Sequence, residues 1–263
     1  MNAEAMLELV RESPHHVGRR DRAAWRELFA DGARVEDPVG TPACIKEGPG
    51  DDLDRFWDTF IRPNGVAFAP ELDLVGRSSV ARKVEIQTSM STGLSMSVPA
   101  YLLYEIVETE AGLKIERLAA HWESSRASKS IMSEGLRGTA TVLLSSYRIL
   151  RHLGLKKGRA YINGTQGGVK RRGKEAVLAF IRAVHAGELG GVTVELDDRP
   201  IELEELSALT LHPSDLIASG DSVACHLPGL LDRGDGLGFF DFGGDGELKR
   251  ARLYGAYHRA TAR

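Results

Sequence analysis

Cysteine is nearly absent. Cys44 and Cys225 are the only two in 263 residues, and they lie far apart in the chain. That excludes a disulfide scaffold and a cysteine zinc site, and it suits a reducing compartment. Charge of one sign is lacking too. The net charge is −3 and the pI about 6.3, so no general field favours nucleic acid or an anionic membrane, and neither is expected as a partner. No apolar run approaches the ~18 residues of a spanning helix. Met1-Asn2-Ala3-Glu4-Ala5 has no basic stretch ahead of an apolar core, so no secretory signal is expected and a cytoplasmic location is. The eight histidines do not fall beside carboxylates at metal spacings such as H-E-x-x-H. A G-x-S-x-G elbow is missing, and the glycines at 164–168 form no G-x-G-x-x-G after a strand. Neither a metal nor a cofactor is expected.

Enough apolar sequence is present for a core: 42% of residues are hydrophobic and 27% charged. Residues 3–12 and 20–30 read as amphipathic helices. Met6, Leu7, Leu9 and Val10 form one face, and Trp25, Leu28 and Phe29 the next. Residues 13–18, with Pro14, His15 and His16, interrupt them. Asp21 suits an N-cap and Gly32 the left-handed position after a helix. A short strand is expected over 33–37 and a helix over 51–61, with Leu53, Phe56, Trp57 and Phe60 inward. From 66 to 122 the pattern turns to β runs punctuated by turns at 76–79, 92–93 and 110–112. Helices followed by an antiparallel meander imply an α+β unit.

Within that unit the run Val35-Glu36-Asp37-Pro38-Val39-Gly40 carries one carboxylate of chemical interest. Pro38 has a fixed φ and pushes Asp37 out of the helical region. An acid held rigidly beside Val35 and Val39 suits a general base, and it equally suits an ordinary Asp-Pro turn.

Together with Leu28-Phe29-Ala30-Asp31 and a helix containing Phe56-Trp57, this run resembles bacterial steroid Δ-isomerase (ketosteroid isomerase). That family belongs to the nuclear-transport-factor-2-like superfamily, with its polyketide cyclases and epoxide hydrolases. The ending Ala119-Ala120-His121-Trp122-Glu123 is similar to the last strand of some members, and the resemblance covers residues 5–125. It implies a conical fold whose mouth opens onto an apolar pocket with Asp37 on the wall. In the family that aspartate shuttles a proton between two carbons beside a carbonyl, while a tyrosine and a protonated aspartic acid bond the enolate oxygen. This chain departs from the pattern. The first-helix tyrosine would fall near Ser13 or His15, and no tyrosine precedes Tyr101. Pro99-Ala100-Tyr101 puts a tyrosine where the acidic donor should stand. Tyr101, with His15 or His16, is the expected replacement. Phe56, Trp57, Phe60, Met90, Met96, His121, Trp122 and His15 are the expected pocket residues.

Residues 123–133 are serine-rich and read as a linker. A helix over 136–155, a short strand at Tyr161-Ile162, a turn at Asn163-Gly164 and a helix over 174–186 follow, then strands near 192–196, 206–211, 222–227, 238–242 and 247–257. Leu113-Lys114-Ile115-Glu116-Arg117-Leu118 is echoed by Leu248-Lys249-Arg250-Ala251-Arg252-Leu253, each with an aromatic four residues on, Trp122 and Tyr257. The helix start at 173–180 parallels 50–57. Two tandem copies of one fold are expected: residues 1–126 with the site, and 127–263 as a degenerate copy, each a cone-shaped α+β domain with a curved, mostly antiparallel sheet over about three helices. The turn equivalent to Asp37 is placed at 161–168, which lacks a carboxylate. Lys170, Arg171, Arg172 and Lys174 read as a solvated basic loop, with an anionic substrate group as the minor reading.

The expected function is proton abstraction by Asp37 beside a carbonyl of an apolar polycyclic substrate, a steroid or polyketide, with Tyr101 assisting at oxygen. Two alternatives stand beside it. One is a non-catalytic ligand-binding or scaffold protein; the other is an epoxide hydrolase or lyase in which Asp37, with Arg34, Glu36 or Asp58, activates water. The second copy is expected to pack on the first as a built-in pseudo-dimer partner through the sheets, with a homodimer as a further expectation.

Overall fold

The computed structural model describes residues 1–231, 234–255 and 257–258. α1 (Ala3–Arg19) and α2 (Arg22–Glu27) lead into β1 (Phe29–Glu36) and β2 (Cys44–Ile45). α3 (Asp52–Phe56) runs on as a π-helical turn over Trp57–Ile61. β3 (Gly65–Val75), β4 (Ser79–Ser89), β5 (Ser95–Thr109) and β6 (Gly112–His121) form a meander. Three helices follow: α4 (Ser124–Met132), α5 (Leu136–Gln166) and α6 (Lys170–His185). The rest is β7 (Thr193–Leu196), β8 (Arg199–Pro200), α7 (Leu203–Ser207), β9 (Ser214–Ser219), β10 (Ser222–Leu231), β11 (Gly234–Phe242), β12 (Leu248–Tyr254) and β13 (Tyr257–His258).

The first sheet has the order β13-β3-β4-β5-β6-β1-β2 and the second β8-β7-β12-β11-β10-β9. Apart from β13, one connection order occurs twice. β1 and β7 each lie parallel to the last long strand, β6 and β12, and antiparallel to a two-residue neighbour, β2 and β8. The chain is therefore two tandem α+β units, each a mixed sheet packed with helices.

Successive strand residues face opposite ways, and both faces of the first sheet are covered. One face packs Ala100, Leu102 and Tyr104 against Met6, Leu7, Val10, Trp25, Phe56 and Trp57 from the helices. The other carries Leu72, Leu74, Ala81, Tyr101 and Leu103 onto Ile217, Ala224, Leu237, Phe239 and Tyr254 of the second sheet. Each fully buried large side chain contributes roughly 1.5–3 kcal/mol, so the sheet-to-sheet layer is a true core shared by the units. Burial on both faces explains why Ala100–Tyr104 of β5 is a continuous apolar run rather than an alternating one.

Local signals and tertiary packing disagree at several places. Asp21 and Asp51 do cap their helices, accepting from Ala24 N and from Leu53 and Asp54 N. α1, however, runs straight through Pro14. The proline removes one helical bond, but Val10, Ser13 and Val17 recur at helical spacing and are buried, which holds the turn together. Gly32 sits within β1 at φ +77 rather than after a helix. Residues 124–132 are helical rather than a linker. Tyr161, Ile162, Asn163 and Gly164 lie in α5, which bends at Gly154 (φ 78) and continues. Residues 203–207 are helix α7, not the start of a strand at 206. The expected last strand is divided: β12 stays in the second sheet, and β13 crosses to pair with β3 of the first. α6 stands before β7 as α1 and α2 stand before β1, so the parallel with residues 50–57 is corrected too. α4 and α5 have no counterpart in the first unit.

Candidate functional site

β1 carries the chain from the first-sheet core to Asp37, which follows its last residue, Glu36. Val35 is buried and fixed by pairing with Leu118. The Asp37–Pro38 peptide is cis. Val39 N then donates to the Ala120 carbonyl (2.8 Å), which ties the turn to β6. Gly40 completes the turn where three backbones meet. A Cβ there would lie 2.3 Å from Gly220 Cα, and one on Gly164 would lie 2.4 Å from the Gly40 oxygen. Only residues without side chains allow α5, the β1–β2 turn and the β9–β10 turn to approach so closely.

Asp37 keeps some exposed surface as a residue, but its carboxyl group is enclosed, and burial raises its pKa above the usual carboxylate value. The Trp122 indole N–H donates to Oδ1 at 2.5 Å and offsets part of that rise. Tyr161 of α5 donates its hydroxyl to the Asp37 carbonyl oxygen at 2.6 Å and lies 5.1 Å, ring to ring, from Phe60. Lys157, one turn earlier, donates to the Ala43 carbonyl at 2.8 Å and to Asp52 Oδ2 at 2.5 Å. Thr141 meets Thr92 at 2.6 Å, and Arg148 donates to Ser91 Oγ at 2.9 Å. α5 is thus fastened to the β4–β5 turn, to Ala43 and to α3 of the first unit, and reaches Asp37.

The expected site residues divide between the two sheet faces. Trp122 bonds Asp37; Phe56 and Trp57 are buried in the helix-facing core, and Phe60 packs against it. Met96 shares the parity of Ala100 and Leu102 along β5, and Met90 sits half-buried at the turn before it. Tyr101 and His121 do not belong to this group. Tyr101 lies in the sheet-to-sheet layer, with its hydroxyl donating to the Asp215 carbonyl at 3.1 Å. His121 Nε2 lies 3.2 Å from Ser222 Oγ, and its ring is 5.1 Å from Phe239. Strand alternation alone turns both away from Asp37, which corrects the pairing of Tyr101 with Asp37. His15 is exposed on α1 and is not a pocket residue. Of the suggested hydrolase companions, Glu36 is bound by Arg117, Asp58 by Arg22 and Arg62, and Arg34 is exposed.

Tyr104 was missed. It lies fully within the helix-facing core. Burial raises its pKa; the Arg82 guanidinium and a hydrogen bond with Ser13 oppose the rise, and the carboxylates of Asp73 and Asp37 add to it. Ser13 also accepts from the Trp25 indole at 3.2 Å. The position on the first helix where a tyrosine is lacking is therefore met by a phenol from β5. The even parity of Ala100, Leu102 and Tyr104 was the available signal. Beside it, Arg82 binds Asp73 through two bonds of 2.6 and 2.9 Å, both side chains buried.

The position equivalent to Asp37 in the second unit also needs correction. Val35 pairs with Leu118 and Leu196 pairs with Leu253, the closing residues of the two echoed segments. Two residues on from each stand Asp37 and Asp198. The second unit does hold a carboxylate there, but Ser78 N (2.9 Å), Ser79 Oγ (2.8 Å) and the Tyr254 hydroxyl (2.9 Å) all donate to it. Asp198 is thereby committed to the contact between the units. A cleft of about 690 Å³ lies between Pro38 and Trp122 on one side and Gln166, Lys170, Lys174 and Ser219 on the other. Lys174 is paired there with Glu123.

No family model and no curated protein matches the sequence. Solved structures do. A Δ5-3-ketosteroid isomerase from Mycobacterium sp. is 25% identical, spanning 46% of this chain and 94% of its own, with a TM-score of 0.40. A Mycobacterium tuberculosis protein in complex with estradiol-17beta-hemisuccinate is 22% identical over 46% of this chain and 95% of its own, TM-score 0.40. An epoxide hydrolase/cyclase-like enzyme of pyran ring formation in the polyether salinomycin is 23% identical over 46% and 93%, TM-score 0.40. Each spans about half of this chain and nearly all of itself.

Proposed function

We propose that the first unit is an isomerase- or cyclase-like enzyme in which Asp37 is the general base. The observation that carries this is the enclosed carboxyl of Asp37, raised in pKa by burial and held at one oxygen by Trp122. Oδ1 is occupied by the indole, which leaves Oδ2 to take a proton from the carbon beside a substrate carbonyl. The C–H electron pair moves into the carbonyl and leaves an enolate oxygen. Tyr104 replaces Tyr101 as the donor to that oxygen: it lies on the helix-facing side, and its phenol is neutral because burial disfavours its charge. Return of the proton to a second carbon gives isomerisation; attack of the enolate carbon on a second carbonyl gives cyclisation. A raised pKa makes Asp37 a stronger base than an ordinary carboxylate.

The substrate class is an apolar cyclic ketone, as the resemblance at residues 35–40 implies, with Phe56, Trp57, Phe60 and Trp122 forming the apolar side. The second unit, with Asp198 taken up by Ser78, Ser79 and Tyr254, serves as scaffold. The test is deuterium exchange at the α-carbon of a Δ5-3-ketosteroid and of a polyketide-like ketone, followed by NMR. Asp37→Asn is expected to slow exchange by about 10²–10⁴-fold while an apolar ligand still raises the melting temperature. Absence of exchange in the wild type on any such ketone would overturn the reading and leave a binding protein.

A further inference from the structure

α5 has a face the folded chain does not use. Its buried side is Gly138, Thr141, Ile149 and Leu153. Opposite lie Leu136, Ala140, Leu143 and Tyr147, spaced i, i+4, i+7 and i+11, so that they form one stripe. Leu136 is 90% exposed, Leu143 66% and Tyr147 56%; beyond the bend Leu155 is 73% exposed. These are among the most exposed large apolar side chains of the described residues. Single exposed leucines need no explanation, but a stripe along one helix does.

The charge of the same helix is equally one-sided. α5 carries Arg137, Arg148, Arg151, Lys156, Lys157 and Arg159 and holds no acidic residue. Between Glu134 and Glu175 there is no carboxylate side chain, and Lys170, Arg171, Arg172 and Lys174 extend the run, in a chain whose net charge is −3. Lys157 and Arg148 are used to fasten α5 to the first unit. Arg137 and Arg151 are exposed beside the apolar stripe, and Lys156 and Arg159 are exposed beyond the bend at Gly154. A helix with leucine and tyrosine on an outer face, and no charge of its own but cations, is matched by a surface that is apolar beneath and anionic at its boundary.

We propose that α5 docks this protein on the surface of an anionic lipid bilayer. Leu136, Leu143, Tyr147 and Leu155 enter the headgroup–acyl boundary, and the exposed arginines and lysines meet lipid phosphates and carboxylates. A second copy of the chain fits less well, because pairing this face with itself would bring the same cations together. Docking goes beyond the proposed reaction and does not depend on it. It departs from the expectation that a chain of net charge −3 has no membrane partner: the cations gather in residues 135–174, and the net value hides them.

The test is co-sedimentation of the full chain with vesicles of phosphatidylcholine alone and with about one third phosphatidylserine. Binding to the anionic vesicles is expected, weaker by at least about tenfold on neutral vesicles or when salt is raised to about 0.5 M. Leu143→Glu with Tyr147→Glu should weaken it by about tenfold or more. Both side chains are exposed, so the melting temperature should hold. Leu178→Glu, on α6, should bind as wild type does. Failure of the wild type to bind anionic vesicles overturns the proposal. So does binding unchanged in the double variant, or a concentration-dependent dimer that the double variant splits in place of vesicle binding.

Discussion

The bond from Trp122 to Asp37 allows a test that needs no substrate. Trp122→Phe keeps an aromatic ring against the helix-facing core but removes the N–H that lies 2.5 Å from Oδ1. That bond favours the ionised carboxyl, while burial favours the neutral one. A hydrogen bond to a charged group contributes at least roughly 1.5 kcal/mol. At about 1.4 kcal/mol per pH unit, its loss moves the titration of Asp37 upward by roughly one unit. The assay is a carbon-13 NMR titration of the side-chain carboxyls, with Asp37→Asn identifying the resonance. The same substitution should move the acid limb of the pH–rate profile upward by the same amount, and below that limb the rate should fall about tenfold. Activity should recover at higher pH, since the base itself is intact. A titration that stays in place or moves downward refutes the account, because the indole would then not be stabilising the carboxylate.

Two further outcomes follow from buried groups. Asp73→Asn leaves the Arg82 guanidinium, 2% exposed, without its counter-charge, and urea unfolding should show a loss of about 3–5 kcal/mol; joint replacement with Arg82→Met should recover most of it. His121 is held near pKa 4 by burial between the sheets. Its folded value lies below the unfolded one of about 6.5, so the unfolded chain takes up the proton first as pH falls. Stability is therefore complete above about pH 6.5 and is lost progressively down to about pH 4, by at most about 3 kcal/mol. His121→Asn should flatten that slope in urea unfolding measured across the range.

Much of the fold was legible because its signals are local. Asp21 and Asp51 cap helices through their own side chains, and the β pattern of 66–122 follows from side-chain period. The tandem repeat was visible in the echo of 113–118 in 248–253, which the structure places in β6 and β12. Asp37 stood out because Pro38 restricts the backbone around it. The same period of two would also have separated Tyr101 from Tyr104, since a one-residue step along a strand crosses the sheet.

What the sequence determined, then, was the helix-then-meander order of residues 1–122, the presence of two α+β units and the local stiffness of the Asp37 turn, all set by φ restriction, capping and periodicity within a few residues. Only the tertiary structure decided the rest. It carried α1 through Pro14 because Val10, Ser13 and Val17 gain burial there. It extended α5 past Lys156-Lys157-Gly158, so that Tyr161 reaches the Asp37 carbonyl across 124 residues. It tied Asp198 to Ser78 and Ser79 and so divided two equivalent carboxylates into one enclosed acid and one structural anchor. Such outcomes depend on which distant backbone arrives beside a side chain, and no short-range preference encodes that.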